Sequence, residues 1–201
     1  MIKKIIILTT FLIFNIIQVG HAKQLSNKTL VQIDNYIITE LDLNKEVTFL
    51  KFLSKNELNN VSNEVLKKET LNNLIERKVK SIEISNLKIE ISEKETQFLF
   101  YNYLKDKKVS EESLVSFYKE NEIEDDYLIK VIKIDASWSK IIQQLYANRI
   151  NVNMTEINKE SKENNNISTD QLVNIEKNIL LNKLGTIHLE KVKKKYLIKI
   201  L

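Results

Sequence analysis

Two short segments near the start of the chain have the residue pattern of β-strands. Thr29 to Ile33 and Tyr36 to Ile38 are rich in β-branched residues and flank Asp34-Asn35, two residue types that tolerate the left-handed backbone of tight turns. This pattern predicts a two-stranded hairpin. Residues 196–201 also read as a strand. Because an isolated hairpin is marginally stable in water, we expect this last strand to pair with one edge of the hairpin.

Between the hairpin and the last strand, apolar residues recur at the spacing of one face of a helix. Two sites match the capping box of a helix N-terminus: Thr39 with Asp42 is a near match, and Ser92 with Glu95 is a full match. The pattern predicts helices over about 40–54, 64–85, 93–107, 111–120, 124–149 and 169–194.

Two places depart from this regular pattern. Gly185 interrupts the last helix at a cost of about 1 kcal/mol, so we expect a close contact or a kink there. Residues 151–166 have the weakest periodicity, with a short helix possible after Thr155 and an Asn-rich loop over 163–166.

The predicted elements define the fold class. We expect a mainly α protein, a helical bundle with a small terminal β-sheet formed by the N-terminal hairpin and the C-terminal strand. The elements form a single domain over 23–201, with an N-terminal part at 23–166 and a C-terminal helix and strand at 167–201.

The first 22 residues have the features of a secretory signal peptide. Lys3 and Lys4 precede an apolar run over 5–19, which ends in small residues at Gly20 and Ala22. The run is shorter than the roughly 20 residues that a membrane-spanning helix needs. We therefore predict cleavage after residue 22 and export of the remaining chain. The alternative is an uncleaved signal that anchors the protein in the membrane.

Composition excludes several function classes. The 31 basic and 27 acidic residues are interspersed, and a formal net charge of +4 is too small to indicate nucleic-acid binding. The chain has no cysteine, two glycines and two histidines. Of the two histidines, only His188 follows the signal segment. Phosphate loops need several glycines and zinc sites need several Cys or His ligands. We therefore expect no cofactor, no metal and no enzymatic activity.

Four stretches, in their order along the chain, resemble the core of SurA-type periplasmic chaperones. They are VQIDNYIITELDL (31–43), LNNLIERKVKSIEISNLKIEISEKE (71–95), VSEESLVSFYKEN (109–121) and QLVNIEKNILLNKLGTIHLEKVKKKYLIKIL (171–201). Each motif has low specificity, but together they cover nearly all of the chain after the signal segment. Members of this family typically insert parvulin-type prolyl isomerase domains before the last helix. This chain has only the Asn-rich linker there, so no catalytic residue carries over.

The resemblance implies an ATP-independent periplasmic chaperone. Its partners would be unfolded polypeptides, in particular outer-membrane proteins, held through an apolar and aromatic groove. Two other classes stay open: a membrane-tethered interaction or scaffold protein that keeps its signal anchor, and a degenerate isomerase or other enzyme.

Aromatic residues in two neighbouring predicted helices are the candidate peptide-binding residues. Four aromatics within six residues cannot all lie on one helix face, so some of them should face solvent or a groove. The alternative is that all belong to the core, and Trp138 is predicted to be a core residue. The candidates are Phe98, Phe100, Tyr101, Tyr103, Phe117 and Tyr118.

Overall fold

The structure is a computed structural model that describes residues 27–55, 57–58, 60–163 and 167–201, without the side chains of 160–163. The predicted signal segment and the Asn-rich residues 164–166 lie outside the described residues.

The described residues form a helical bundle with one small sheet, which confirms the predicted fold class. In chain order the elements are β1 (Thr29–Ile33), β2 (Tyr36–Thr39), α1 (Glu40–Ser54), α2 (Asn63–Leu87), α3 (Glu93–Lys107), α4 (Glu111–Glu120), α5 (Tyr127–Tyr146), a 3-10 turn (Ala147–Arg149), α6 (Met154–Glu163), α7 (Thr169–Lys193) and β3 (Ile198–Ile200).

The predicted pairing of the first and last strands is confirmed. The sheet has the order β2-β1-β3, and β1 is antiparallel to both neighbours. Asp34 has a φ of 47°, so it supplies the left-handed residue of the hairpin turn. Its N–H donates to the Leu197 carbonyl at 3.1 Å, and the Leu197 N–H donates to Asp34 Oδ1 at 2.8 Å. The turn is thus fastened to the chain segment that enters β3.

Both predicted sites cap a helix, but only Thr39, predicted as a near match, forms a complete capping box. The near match at Thr39 forms a complete capping box, because Thr39 accepts from the Asp42 N–H and the Asp42 carboxylate accepts from the Thr39 N–H. At the full match, Ser92 Oγ accepts from the Glu95 N–H at 3.2 Å. Both sites begin helices where the sequence predicted them, at α1 and α3.

The prediction for the fifth helix was wrong in its bounds. The helix was expected over 124–149, but α5 begins at Tyr127 and gives way to the 3-10 turn at Ala147. The residues before α5 form a turn in which the Tyr127 N–H donates to the Glu124 carbonyl at 3.0 Å. The Asp126 carboxylate pairs with Lys130 at 3.0 Å and does not cap the helix.

The weakly patterned region contains the short helix α6. The helix begins beside Asn153, whose Oδ1 accepts hydrogen bonds from the N–H groups of Thr155 and Glu156 at 3.2 and 3.4 Å. This is the side-chain capping that favours Asn at helix N-termini.

Three clusters of buried side chains hold the described elements together. The smallest joins α1 to α2 and consists of Leu43, Val47 and Leu66. Of the other two, one joins the inner face of the sheet to α2, α5 and α7, and it contains Trp138, which confirms the predicted core position. The other joins α1, α3, α4 and the first turns of α5. The helix α7 continues through Gly185, which is buried against Ile142 of α5.

Candidate polypeptide-binding surfaces

Helix α3 carries aromatic side chains on two opposite faces. Thr96, Phe100 and Leu104 recur every four residues and face the core, where Phe100 is only 8% exposed. Phe98 and Tyr101, three residues apart, point outward and are 65% and 56% exposed. The expectation that these aromatics cannot share one face is therefore confirmed.

The remaining candidates are more enclosed. Tyr103 is half-buried on the flank of α3, and burial raises the pKa of its hydroxyl. Phe117 of α4 is half-buried and stacks on Phe52 with ring centroids 4.1 Å apart. Tyr118 is 1% exposed, and its hydroxyl accepts a hydrogen bond from the Leu128 N–H at 3.1 Å. Burial raises the pKa of Tyr118 to about 12. Phe98 and Tyr101 are thus the candidates that a partner can reach.

An open groove of about 350 Å³ lies between β2, α1, α2 and the start of α5. Much of its lining is apolar, contributed by Ile37, Ile38, Leu74, Tyr127, Val131 and Ile134. Cationic side chains also reach it. Lys45 donates to the Glu122 carbonyl, and Lys78 lies over the Tyr36 ring, 5.0 Å from its centroid.

A buried polar network forms one wall of the groove. Arg77 of α2 makes a bidentate pair with Glu46 of α1, with Nη2–Oε1 and Nη1–Oε2 distances of 2.7 and 3.0 Å. The Tyr127 hydroxyl donates to the same carboxylate and accepts from Arg77 at 3.2 Å. Because Glu46 is only 1% exposed, this network fixes three helices in one arrangement beside the opening.

Sequence reasoning did not find the groove or its network. The groove-lining residues come from four elements, and the members of the network are 31 to 81 residues apart along the chain. A site whose residues are so far apart in sequence produces no short-range spacing pattern. The one usable signal was that Glu46 lies at helical spacing from Leu43, Phe49 and Leu53, on the face of α1 that packs against the core.

His188, the one histidine that follows the predicted signal segment, has a structural setting. Its ring contacts those of Trp138 and Tyr146, with centroids 5.6 and 5.7 Å apart, and its Nδ1 is 2.9 Å from the Tyr146 hydroxyl. Burial lowers the pKa of this imidazole. Within the described residues, no three His, Asp or Glu side chains cluster closely enough to hold a metal ion.

Comparison with known proteins gives no family: no protein-family model matches the chain, and no curated protein matches it significantly. In the part of the chain that the structure describes, no helix combines the length and the apolar character needed to cross a bilayer.

Proposed function

We propose that this protein is an ATP-independent periplasmic chaperone that holds unfolded polypeptides, in particular outer-membrane proteins. The observation that carries the proposal is the outward-facing aromatic pair Phe98 and Tyr101 on α3, which no other described element covers. The sequence resemblance to the SurA-type core supports the same function. That resemblance requires the first and last strands to meet, as β1 and β3 do.

The size of the aromatic pair indicates weak, reversible binding. If each side chain buries about 200 Å² when fully covered, the exposed parts of the two amount to roughly 240 Å². At about 25 cal/mol/Å² this is worth about 6 kcal/mol before any ordering cost. A micromolar complex needs about 8 kcal/mol. The pair alone therefore falls short of a micromolar complex, and binding of that strength requires a second surface.

Release then needs no nucleotide. A contact of this strength dissociates by itself, and a client that folds or passes to another factor removes its own apolar residues from the surface. The chain has two glycines in all, too few for a glycine-rich phosphate loop that would bind ATP.

The test is suppression of aggregation of an unfolded outer-membrane β-barrel protein, measured by light scattering without nucleotide at near-stoichiometric ratio. We expect the wild-type protein to suppress scattering and the double variant Phe98→Ala/Tyr101→Ala to lose most of this effect, because it removes the exposed aromatic area. Both side chains are exposed, so the variant should keep its fold, which circular dichroism checks.

The control is Ile175→Ala/Ile179→Ala on α7, which removes an exposed apolar but non-aromatic pair from another helix. This control should suppress aggregation as well as the wild type does. If the wild-type protein leaves aggregation unchanged, the chaperone proposal is wrong. If both double variants lose the effect equally, binding is nonspecific and the aromatic pair is not its site.

A further inference from the structure

Strand β3 has one paired edge and one open edge. Towards β1, the Leu201 N–H donates to the Leu30 carbonyl at 2.9 Å, and Lys199 lies directly opposite Gln32. Successive residues of a strand direct their backbone groups to alternate edges. The N–H and C=O groups of Ile198 and Ile200 therefore point away from β1, where no strand among the described residues pairs with them.

The side chains of β3 continue the two faces of the sheet. Ile198 and Ile200 lie opposite Ile33 and Val31, the two β1 residues that are fully buried in the core. Ile200 nevertheless remains 71% exposed. An added strand that places apolar residues beside Ile198 and Ile200 would extend the inner face of the sheet and cover this exposed side chain.

Several lysines lie in β3 and in the residues just before it. Lys193 and Lys195, just before β3, are paired with glutamates. By contrast, Lys191, Lys194 and Lys199 form no ion pair with any described carboxylate. Lys199 stands on the outer face, midway between the two open backbone positions. The charge of Lys199 therefore favours a partner with an acidic residue opposite this position.

The same charge disfavours a second copy of this chain. Two β3 strands that overlap fully in an antiparallel pair would place Lys199 of one copy directly opposite Lys199 of the other. Like charges directly opposite each other destabilise a strand pair. An extended segment with an acidic residue between two apolar residues has no such penalty.

We propose that the open edge of β3 binds an extended polypeptide segment by strand addition, and that the segment carries an apolar-acidic-apolar pattern with its acidic residue opposite Lys199. The proposal rests on the proposed function, because the segment would belong to an unfolded client. Backbone hydrogen bonds to Ile198 and Ile200 supply affinity that depends little on sequence, and Lys199 supplies the preference for acidic residues.

The experiment measures fluorescence anisotropy of short labelled peptides with the full chain. One peptide has a central Val-Glu-Val, the second has Val-Lys-Val, and the third is the acidic peptide with both central valines N-methylated. We expect the acidic peptide to bind wild-type protein roughly two- to fivefold more tightly than the basic one, the range of a cross-strand charge pair. N-methylation should weaken binding about tenfold, because it removes two backbone donors.

Lys199→Glu should reverse the preference, so that the basic peptide binds more tightly. Lys119→Glu on α4 makes the same change in net charge at an exposed lysine of another element and should keep the wild-type preference. Equal binding of all three peptides, or no binding, would overturn the proposal. So would sedimentation that shows a stable dimer whose strength Lys199→Glu alters, since a second copy would then occupy the edge.

These outcomes separate the two proposals. If Lys199→Glu reverses the peptide preference while the wild-type protein fails to suppress aggregation, strand addition stands and the chaperone function falls. If aggregation is suppressed but peptide charge and N-methylation have no effect, the chaperone function stands and the open edge of β3 is not its site.

Discussion

Glu46 is a charged residue on the buried, otherwise mostly apolar face of α1. It is buried between α1 and α2 and remains satisfied only because Arg77 and Tyr127 both hydrogen-bond to it. Removing one partner of such a buried pair leaves an uncompensated charge, and this costs more than the pair contributes when it is intact.

Arg77→Met should therefore lower the free energy of unfolding by about 3 kcal/mol or more, measured by urea denaturation. The double variant Glu46→Leu/Arg77→Met removes both charges and should recover most of this loss. As a control, Lys80→Met breaks the ion pair with Asp135, whose side chain is exposed, and should cost less than about 1 kcal/mol. Equal losses for Arg77→Met and the double variant would contradict this account.

At the scale of the element, Gly185 of α7 packs against Ile142 of α5. A Cβ built there would lie 3.4 Å from Ile142 Cγ1, which is the near limit of ordinary contact. A methyl group at this position would therefore contact Ile142 without displacing it.

We expect Gly185→Ala to raise the free energy of unfolding by up to about 1 kcal/mol, because alanine has a higher helix propensity and its methyl group fits. Gly185→Leu should instead lower it by about 1–3 kcal/mol, because the larger side chain must displace Ile142. Urea denaturation of both variants measures the effect. A destabilising Gly185→Ala would mean that the helices are already at their closest approach.

Elements were predictable where their signal is local. The hairpin, the caps at Thr39 and Ser92 and most helix bounds follow from residues within one or two turns of each other. The start of α5 was mispredicted because the residues from Glu124 to Asp126 form a turn before the helix, in which the Tyr127 N–H donates to the Glu124 carbonyl. The groove could not be predicted, because it exists only where four separate elements meet.

The same limit applies to the aromatic candidates: the local sequence predicts which residues share a helix face, but it does not predict which face is buried. Periodicity showed that Phe98 and Phe100 must point in different directions, which they do. It could not show which of them faces the core, because that depends on the packing of α3 against α5 and on the cluster around Tyr118.

At the scale of the whole molecule, the C-terminal segment that leads into β3 is joined to α2 through Glu83. Lys195 Nζ lies 2.7 Å from its Oε1, and the Tyr196 hydroxyl donates to its Oε2 at 3.0 Å. Burial by itself raises the pKa of Glu83, but these two hydrogen bonds outweigh it, so the pKa lies below the usual value of 4.5.

Glu83→Gln should lower the free energy of unfolding by about 1–2 kcal/mol near neutral pH, because hydrogen bonds to a charged group are lost. A carboxyl with a lowered pKa in the folded state stabilises the protein above its unfolded pKa, and this contribution disappears as the pH falls through the folded value. Urea denaturation at several pH values should therefore show the wild-type and variant curves converging below the usual pKa of 4.5. A constant difference at acidic pH would contradict this.

The pairing of β1 with β3 also affects how the protein folds. Val31 and its neighbour Ile200 are 169 residues apart along the chain. Contacts between residues so far apart in sequence form slowly, so the central strand of the sheet keeps one edge unpaired until these segments meet. A protein proposed to hold unfolded chains thus depends, for its own sheet, on a contact that an unfolded chain makes only slowly.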